Sequence, residues 1–320
     1  MKGRIISVFK NLYRVSMENR ELNAPITGNM IKSANFPVVG DYVEISPEEQ
    51  IIKIYPRKTI LSRKAAGKEI KEQPIVSNID FIFIVTSLNK DFNLARLERY
   101  LTMVYESGAK PCFILTKADL DDEVDQKVTS LEEIAFGVPI HVISTYEGRG
   151  IDEIKDYLKD EKTIGLIGSS GVGKSTLINR LLGNEIIKTK EIRTIDDKGK
   201  HTTTRREMFK VGDGYIIDTP GMREIQMWSG DTSSSFEDVE VLVSQCRFSD
   251  CTHGNEPGCA INKAIENGDL KKERLASYLK LKREIKNMEN KINHGHKFAE
   301  KEKIKTMMGC LDKKKKIIHR

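Results

Sequence analysis

The residues with the strongest claim on chemistry are Gly168-Ser169-Ser170-Gly171-Val172-Gly173-Lys174-Ser175, with Thr176 just beyond. An apolar run, Ile164-Gly165-Leu166-Ile167, leads in, and Thr176 to Leu182 continues at helical spacing. Strand, glycine-rich turn and helix start form the context in which G-x-x-x-x-G-K-[ST] cradles phosphate. The glycines let successive backbone N–H groups converge on one anion, and the helix N-terminus adds its partial positive charge. Lys174 is placed to reach the outer phosphates, and the Ser175 hydroxyl to ligand Mg²⁺. The stretch predicts a nucleoside triphosphate site.

Further polar signals follow apolar runs, where ligands bind in open α/β sheets. After Cys112-Phe113-Ile114-Leu115 comes Thr116-Lys117-Ala118-Asp119. A carboxylate there accepts two hydrogen bonds from the N1–H and 2-amino group of guanine, while the lysine stem covers the base. Adenine lacks that donor pair and would leave Asp119 unpaired. After Val138–Ile143 comes Ser144-Thr145, placed to offer a backbone N–H to the guanine carbonyl. Beyond the phosphate loop, residues 183–200 are polar and aperiodic, as in a mobile loop, and end in His201-Thr202-Thr203-Thr204. Thr204, or alternatively Thr203, is placed to complete the Mg²⁺ shell and sense the γ-phosphate. After Tyr215-Ile216-Ile217 stands Asp218-Thr219-Pro220-Gly221. Asp218 suits Mg²⁺ through water, and the Gly221 N–H suits the γ-phosphate. The guanine-reading residues precede the phosphate loop, the reverse of the usual GTPase order, so the domain reads as circularly permuted.

A second constellation is Cys246, Cys251, His253 and Cys259, spaced C-x4-C-x-H-x5-C. Three thiolates and an imidazole make a closed tetrahedral Zn²⁺ set, which is structural rather than catalytic. Cys112 reads as a small core residue and Cys310 as a free thiol; His294 and His296 read as exposed.

The elements that must position these groups fall into three predicted units. Residues 1–66 carry short β-runs separated by Gly, Pro and Asn, with Met30–Lys32 read among them. They predict a small barrel, OB-like by preference, a type that commonly binds RNA. Arg57-Lys58, Arg63-Lys64 and Lys68 to Lys71 read as a basic connector. Residues 75–228 alternate buried strands, as at Phe81–Thr86, with helices at Leu94–Ser107 and Ile151–Leu158. That alternation predicts a mostly parallel α/β sheet. Residues 233–320 predict a mostly helical zinc-binding unit with a basic tail. The chain of 320 residues carries a net charge of +6, yet from Lys263 to Arg320 there are 18 Lys/Arg against 8 Asp/Glu. Such asymmetry points to a polyanion, most often nucleic acid. With no apolar run near the roughly 20 residues of a membrane span and no secretory pattern at Met1–Ser7, the expected location is the cytoplasm.

With these residues in place, the chain resembles the RsgA (YjeQ/YloQ) family of circularly permuted GTPases. The resemblance rests on the permuted motif order, on Gly199-Lys200-His201-Thr202-Thr203-Thr204 and on the Cys246/Cys251/His253/Cys259 set. It implies GTP hydrolysis with Mg²⁺, stimulated by the small ribosomal subunit during its late maturation. It also implies rRNA binding through the flanking domains, a structural Zn²⁺, a monomer, and partners that include other assembly factors but no membrane. Met222 stands where a Ras-like GTPase has its water-orienting Gln. The resemblance gives that role to His201, with Lys174 and Gly221 beside it as catalytic groups; the alternative for His201 is an rRNA contact. Two departures stand out, Thr116 where most members have Asn and Thr145 where Ala is usual. Two other readings remain open: an rRNA-binding scaffold whose nucleotide switches but scarcely turns over, and a GTPase of large-subunit assembly.

Overall fold

The computed structural model describes residues 1–9, 12–64, 72–89, 91–183, 206–218, 232, 235–254, 256–287 and 289–290. His201, Thr203, Thr204, Gly221, Met222 and the C-terminal tail lie outside the described residues, as do residues 65–71 and 184–205.

The N-terminal elements are β1 (Lys2–Val8), β2 (Tyr13–Ser16), β3 (Glu21–Ala24), α1 (Gly28–Lys32), β4 (Tyr42–Ile45) and β5 (Ile51–Ile54). The antiparallel order is β3-β2-β1-β4-β5, and a parallel bridge between Ile26 and Ile51 brings its two ends together. Ile5, Val15, Val43, Ile45 and Ile51 fill the interior with almost no exposure. Met30–Lys32, read among the strands, is instead the one-turn helix α1, which buries only Met30. Strand β3 carries little signal in the sequence, since only Leu22 and Ala24 of its four residues are buried.

Next come β6 (Ile60–Lys64) and β7 (Glu72–Ser77), which pair as a separate antiparallel ribbon. This stretch is therefore more than a basic connector. Leu61, Ile75 and Val76 are buried in the main core, so apolar burial overrides the charged composition.

The alternating region contains β8 (Phe81–Ser87), α2 (Leu94–Ser107), β9 (Lys110–Thr116), α3 (Val124–Glu132), β10 (Ile140–Val142), α4 (Ile151–Lys155), β11 (Thr163–Ile167), α5 (Lys174–Leu182), β12 (Glu207–Val211) and β13 (Gly214–Asp218). Strands run β10-β9-β8-β11-β13 in parallel, and β12 closes the row antiparallel to β13. Phe83, Val85, Ile114 and Leu166 face α4 and α5 in one core layer; Ile82, Ile84, Phe113 and Leu115 face α2 in the other. Burial on both faces explains their unbroken apolar runs. Helix α2 starts where Asn93 accepts the Arg96 N–H and stops at Gly108, which sits left-handed at φ 78°. Cys112 is fully buried, and burial pushes its thiol up to about 12, so it stays a neutral core residue.

Strand β1 is shared. It pairs with β12 at Ser7–Glu207, so the N-terminal unit and the parallel sheet are one hydrogen-bonded surface. Arg4 fastens the joint: its guanidinium lies about 5 Å from the Tyr42 and Tyr215 rings and donates to Asn78 O (3.0 Å) and Thr163 Oγ1 (2.8 Å).

The C-terminal helices are α6 (Glu237–Ser244), α7 (Ala260–Asn267) and α8 at 272–287. They pack on the α2 side through Phe236, Val239, Ile261, Tyr278 and Leu281. Arg274 holds the contact, donating to Glu98 Oε1 (2.6 Å), Asp238 Oδ1 (2.8 Å) and Ser235 O (2.8 Å) while stacking 4.2 Å over the Phe236 ring. Burial raises the pKa of Glu98, and the Arg274 partnership opposes that rise. Removing one member of such a pair leaves a buried charge uncompensated. Arg274→Ala should therefore lower stability by about 3–5 kcal/mol, read from urea unfolding, and Glu98→Gln in the same chain should recover part of the loss.

Candidate functional site

Because the strands are parallel, β8, β9, β10, β11 and β13 deliver their C-terminal residues to one edge of the sheet. Gly168 through Gly173 cross that edge from β11 to α5. Gly168 has φ 143°, and a Cβ there would stand 2.1 Å from the Val85 carbonyl. Gly173 has φ 103°, with a Cβ position 3.6 Å from Thr116 Oγ1. Close backbone approach and handedness both demand glycine at Gly168, whereas at Gly173 the positive φ alone demands it. Val172 turns inward into the core, whereas Ser170 and Gly171 are exposed. Lys174 Nζ donates to the carbonyls of Gly168 (2.6 Å) and Ser169 (2.5 Å), which curls the cation over the loop. Ser175 and Thr176 form the first turn of α5, and Asp218 ends β13, the strand paired to β11.

The guanine-reading turn stands directly beside the phosphate loop. Thr116 Oγ1 donates to Val172 O at 2.5 Å, and Lys117 Nζ donates to Gly171 O at 2.9 Å. Lys117 adopts φ 60°, a left-handed kink that starts the Ala118–Leu120 turn and leaves Asp119 exposed. Thr116 therefore ties the two loops together through its hydroxyl. Ser144 is fully buried; its Oγ donates to Asp119 Oδ1 (2.7 Å) and accepts the Glu147 N–H (3.1 Å). Its own backbone N–H donates to Arg149 O (3.1 Å), so the Ser144 amide is not the one offered to a base. Sequence reasoning missed this clamp on the carboxylate; a serine 25 residues downstream of Asp119 carries no local signal. It also missed Tyr100, buried on α2, whose hydroxyl lies close to the Ser169 side chain of the phosphate loop.

The second site lies among the C-terminal helices. Cys246 follows α6, Cys251 and His253 sit in the loop, and Cys259 caps α7 by accepting the Asn262 N–H (3.5 Å). All four donor atoms lie within 4.8 Å of one another, and His253 Nδ1 is 3.7 Å from both Cys246 Sγ and Cys259 Sγ. Zinc bonds of about 2.3 Å to sulfur and about 2.0 Å to nitrogen place such atoms roughly 3.6 Å apart around a tetrahedron. The donor set fits the ion, and a left-handed His253 at φ 62° turns the imidazole into it.

Two outcomes test these geometries. Thr116→Val, which keeps shape and deletes the hydroxyl, should weaken binding of a fluorescent GTP analogue by roughly tenfold, whereas Thr116→Ser should stay near wild type. Cys251→Ser should drop bound zinc from one ion per chain to none by elemental analysis, and should lower the unfolding temperature of the C-terminal helices.

Comparison with known proteins follows the same outline. The family model described as RsgA GTPase matches residues 54–228. An ABC transporter model also matches residues 151–315, a stretch that holds the phosphate loop and lacks the Thr116–Asp119 turn. Small ribosomal subunit biogenesis GTPase RsgA 2 of Lactiplantibacillus plantarum is 47% identical, over 88% of this chain and 83% of its own. Small ribosomal subunit biogenesis GTPase RsgA 1 of Listeria innocua is 45% identical, over 97% and 90%. Among solved structures, YjeQ from Thermotoga maritima superposes with a TM-score of 0.66 at 29% identity, covering 89% of this chain and 98% of that one. The circularly permuted GTPase YloQ gives 0.62 at 25% identity, covering 89% and 95%. Strand order, paired loops and relatives agree: the chain belongs to the RsgA GTPase family.

Proposed function

We propose that this GTPase couples GTP hydrolysis to late maturation of the small ribosomal subunit, working in the cytoplasm as a monomer. The observation that carries the reading is the pair of bonds from Thr116 and Lys117 to the Val172 and Gly171 carbonyls. They make base reader and phosphate loop one pocket, and relatives similar in sequence are named for small-subunit biogenesis.

In the proposed mechanism, Asp119 accepts the N1–H and 2-amino group of guanine, fixed from behind by the Ser144 hydroxyl. The amide meeting the guanine carbonyl is then that of Thr145. The backbone N–H groups of Ser169 to Ser175 surround the β-phosphate, and Lys174 leaves the Gly168 and Ser169 carbonyls to meet the outer oxygens. Mg²⁺ supplies charge neutralisation between the phosphates and would be held by Ser175, Asp218 and Thr204. His201 orients the attacking water and Gly221 binds the γ-phosphate; the role of His201 rests on the family resemblance, and those of Thr204 and Gly221 on their motifs in the sequence.

Three units serve this chemistry in our reading: residues 1–66 as an OB-like barrel, 75–228 as the permuted GTPase domain and 233–320 as the zinc-held unit with its basic tail. The barrel's exposed side supports an RNA contact. Tyr42 and Tyr55 are half-buried, and Lys2 lies 4.8 Å and 5.8 Å from their ring centroids, with Lys53 5.5 Å from Tyr55. Aromatic faces beside cations suit unstacked bases. A structural Zn²⁺ on Cys246, Cys251, His253 and Cys259 would fix the loop between α6 and α7.

GTP turnover should rise when purified small subunits are added and should not respond to large subunits. Equal turnover with and without small subunits would favour the scaffold reading, and co-sedimentation with large subunits would favour the other. Ser175→Ala should abolish Mg²⁺-dependent turnover, measured as phosphate release.

A further inference from the structure

One further side chain, Lys127 on α3, holds the turn that carries Asp119. The tie runs through Leu88, the first residue beyond β8, which is fully buried. The Leu88 N–H donates to Thr116 O (3.0 Å), where the turn begins. The Leu88 carbonyl accepts from Lys127 Nζ (3.0 Å), and the same ammonium donates to Asp121 Oδ2 (2.6 Å), where the turn ends. The other Asp121 oxygen accepts the Glu123 N–H (3.0 Å), so this carboxylate is fixed through both oxygens. Thr116 and Asp121 are thus strapped to one buried residue, with Asp119 between them.

The turn has reason to need a strap. Lys117 lies in the left-handed region at φ 60°, where a residue with a side chain is strained. Asp119 is exposed, and the Ser144 hydroxyl orients one of its oxygens. Lys127 in turn stands near the start of α3, the end of a helix where a cation is disfavoured. Its side chain is 19% exposed and that of Asp121 8%, so the pair is no solvated surface bridge of little effect. The Glu123 carboxylate, 3.8 Å away and 66% exposed, adds little to it.

We propose that Lys127 is a positioning residue for guanine selection, acting through Asp121 and Leu88 to hold Asp119 where it meets both guanine donors. The proposal rests on the reading of Asp119 given above and deepens it. A carboxylate accepts two parallel bonds only at the right distance and angle. A turn free to rock about Lys117 keeps one bond at the expense of the other. Loss of the strap should therefore fall on the base and spare the phosphates.

The test compares GDP with IDP, whose base keeps the N1–H and lacks the 2-amino group, on the full chain with Mg²⁺. Wild type should bind GDP roughly tenfold more tightly. Lys127→Met keeps the stem and removes the charge; it should weaken GDP binding and bring the two affinities within about threefold. Lys127→Arg should restore most of the ratio. Pyrophosphate, which has no base, should displace a fluorescent GDP analogue from the phosphate loop with the same affinity in wild type and Lys127→Met. Asp121→Asn should lower the ratio in the same direction, and it decides the matter should Lys127→Met fail to fold. A wild-type ratio in the folded variant would overturn the proposal. So would a loss of pyrophosphate binding equal to that of GDP, which marks a general weakening of the pocket. If wild type itself bound GDP and IDP alike, the reading of Asp119 would fall, and the strap with it.

Discussion

Two backbone carbonyls, those of Gly171 and Val172, carry much of the weight of this site. Both belong to the phosphate loop, and both are held by side chains that start the guanine-reading turn. The chain separates these segments by more than 50 residues, yet neighbouring positions on one sheet edge put them within a hydrogen bond. A nucleotide whose base and phosphates contact different loops gains affinity only when the loops are already in register. The left-handed backbone at Lys117 and Gly173 is the local strain that allows the approach.

Helix α2 extends that constraint outward. One of its faces covers the sheet, and Tyr100 on it lies close to Ser169 in the phosphate loop. Elsewhere on the same helix Glu98 receives Arg274, Arg99 meets Glu284 at 2.7 Å, and the Thr102 and Ser235 hydroxyls lie 2.6 Å apart. The Arg99 pair is half exposed and contributes little, whereas the Arg274–Glu98 pair is buried and fixes how the C-terminal helices sit. Helix α2 thus lies between the sheet that carries the phosphate loop and the helices that carry the Cys/His cluster.

Much of this was legible because the relevant signals are local. The glycine pattern, the continuous apolar strands and the Asn93 and Gly108 ends of α2 each declare themselves within a few residues. The zinc spacing likewise falls in one short stretch. What stayed hidden depends on distant partners. The ribbon at Ile60–Ser77 looks like a charged linker until α2 and the sheet cover Leu61 and Val76. Ser144 reads as an amide donor until its hydroxyl is seen on Asp119. Residue type alone could not show that the Thr116 hydroxyl bridges to a carbonyl of the phosphate loop.

The pairing of β1 with β12 has a further consequence. Strand β1 lies against β12, the antiparallel strand that closes the parallel row, and Arg4 pins it there from the Asn78 and Thr163 side. Cutting away the amino-terminal unit would strip one flank of β12 and turn it into a bare sheet margin, open to pairing with other molecules. The catalytic sheet and its neighbour are therefore one folding unit rather than exchangeable modules, and a shortened protein would meet the cell as an aggregation hazard before it met any nucleotide.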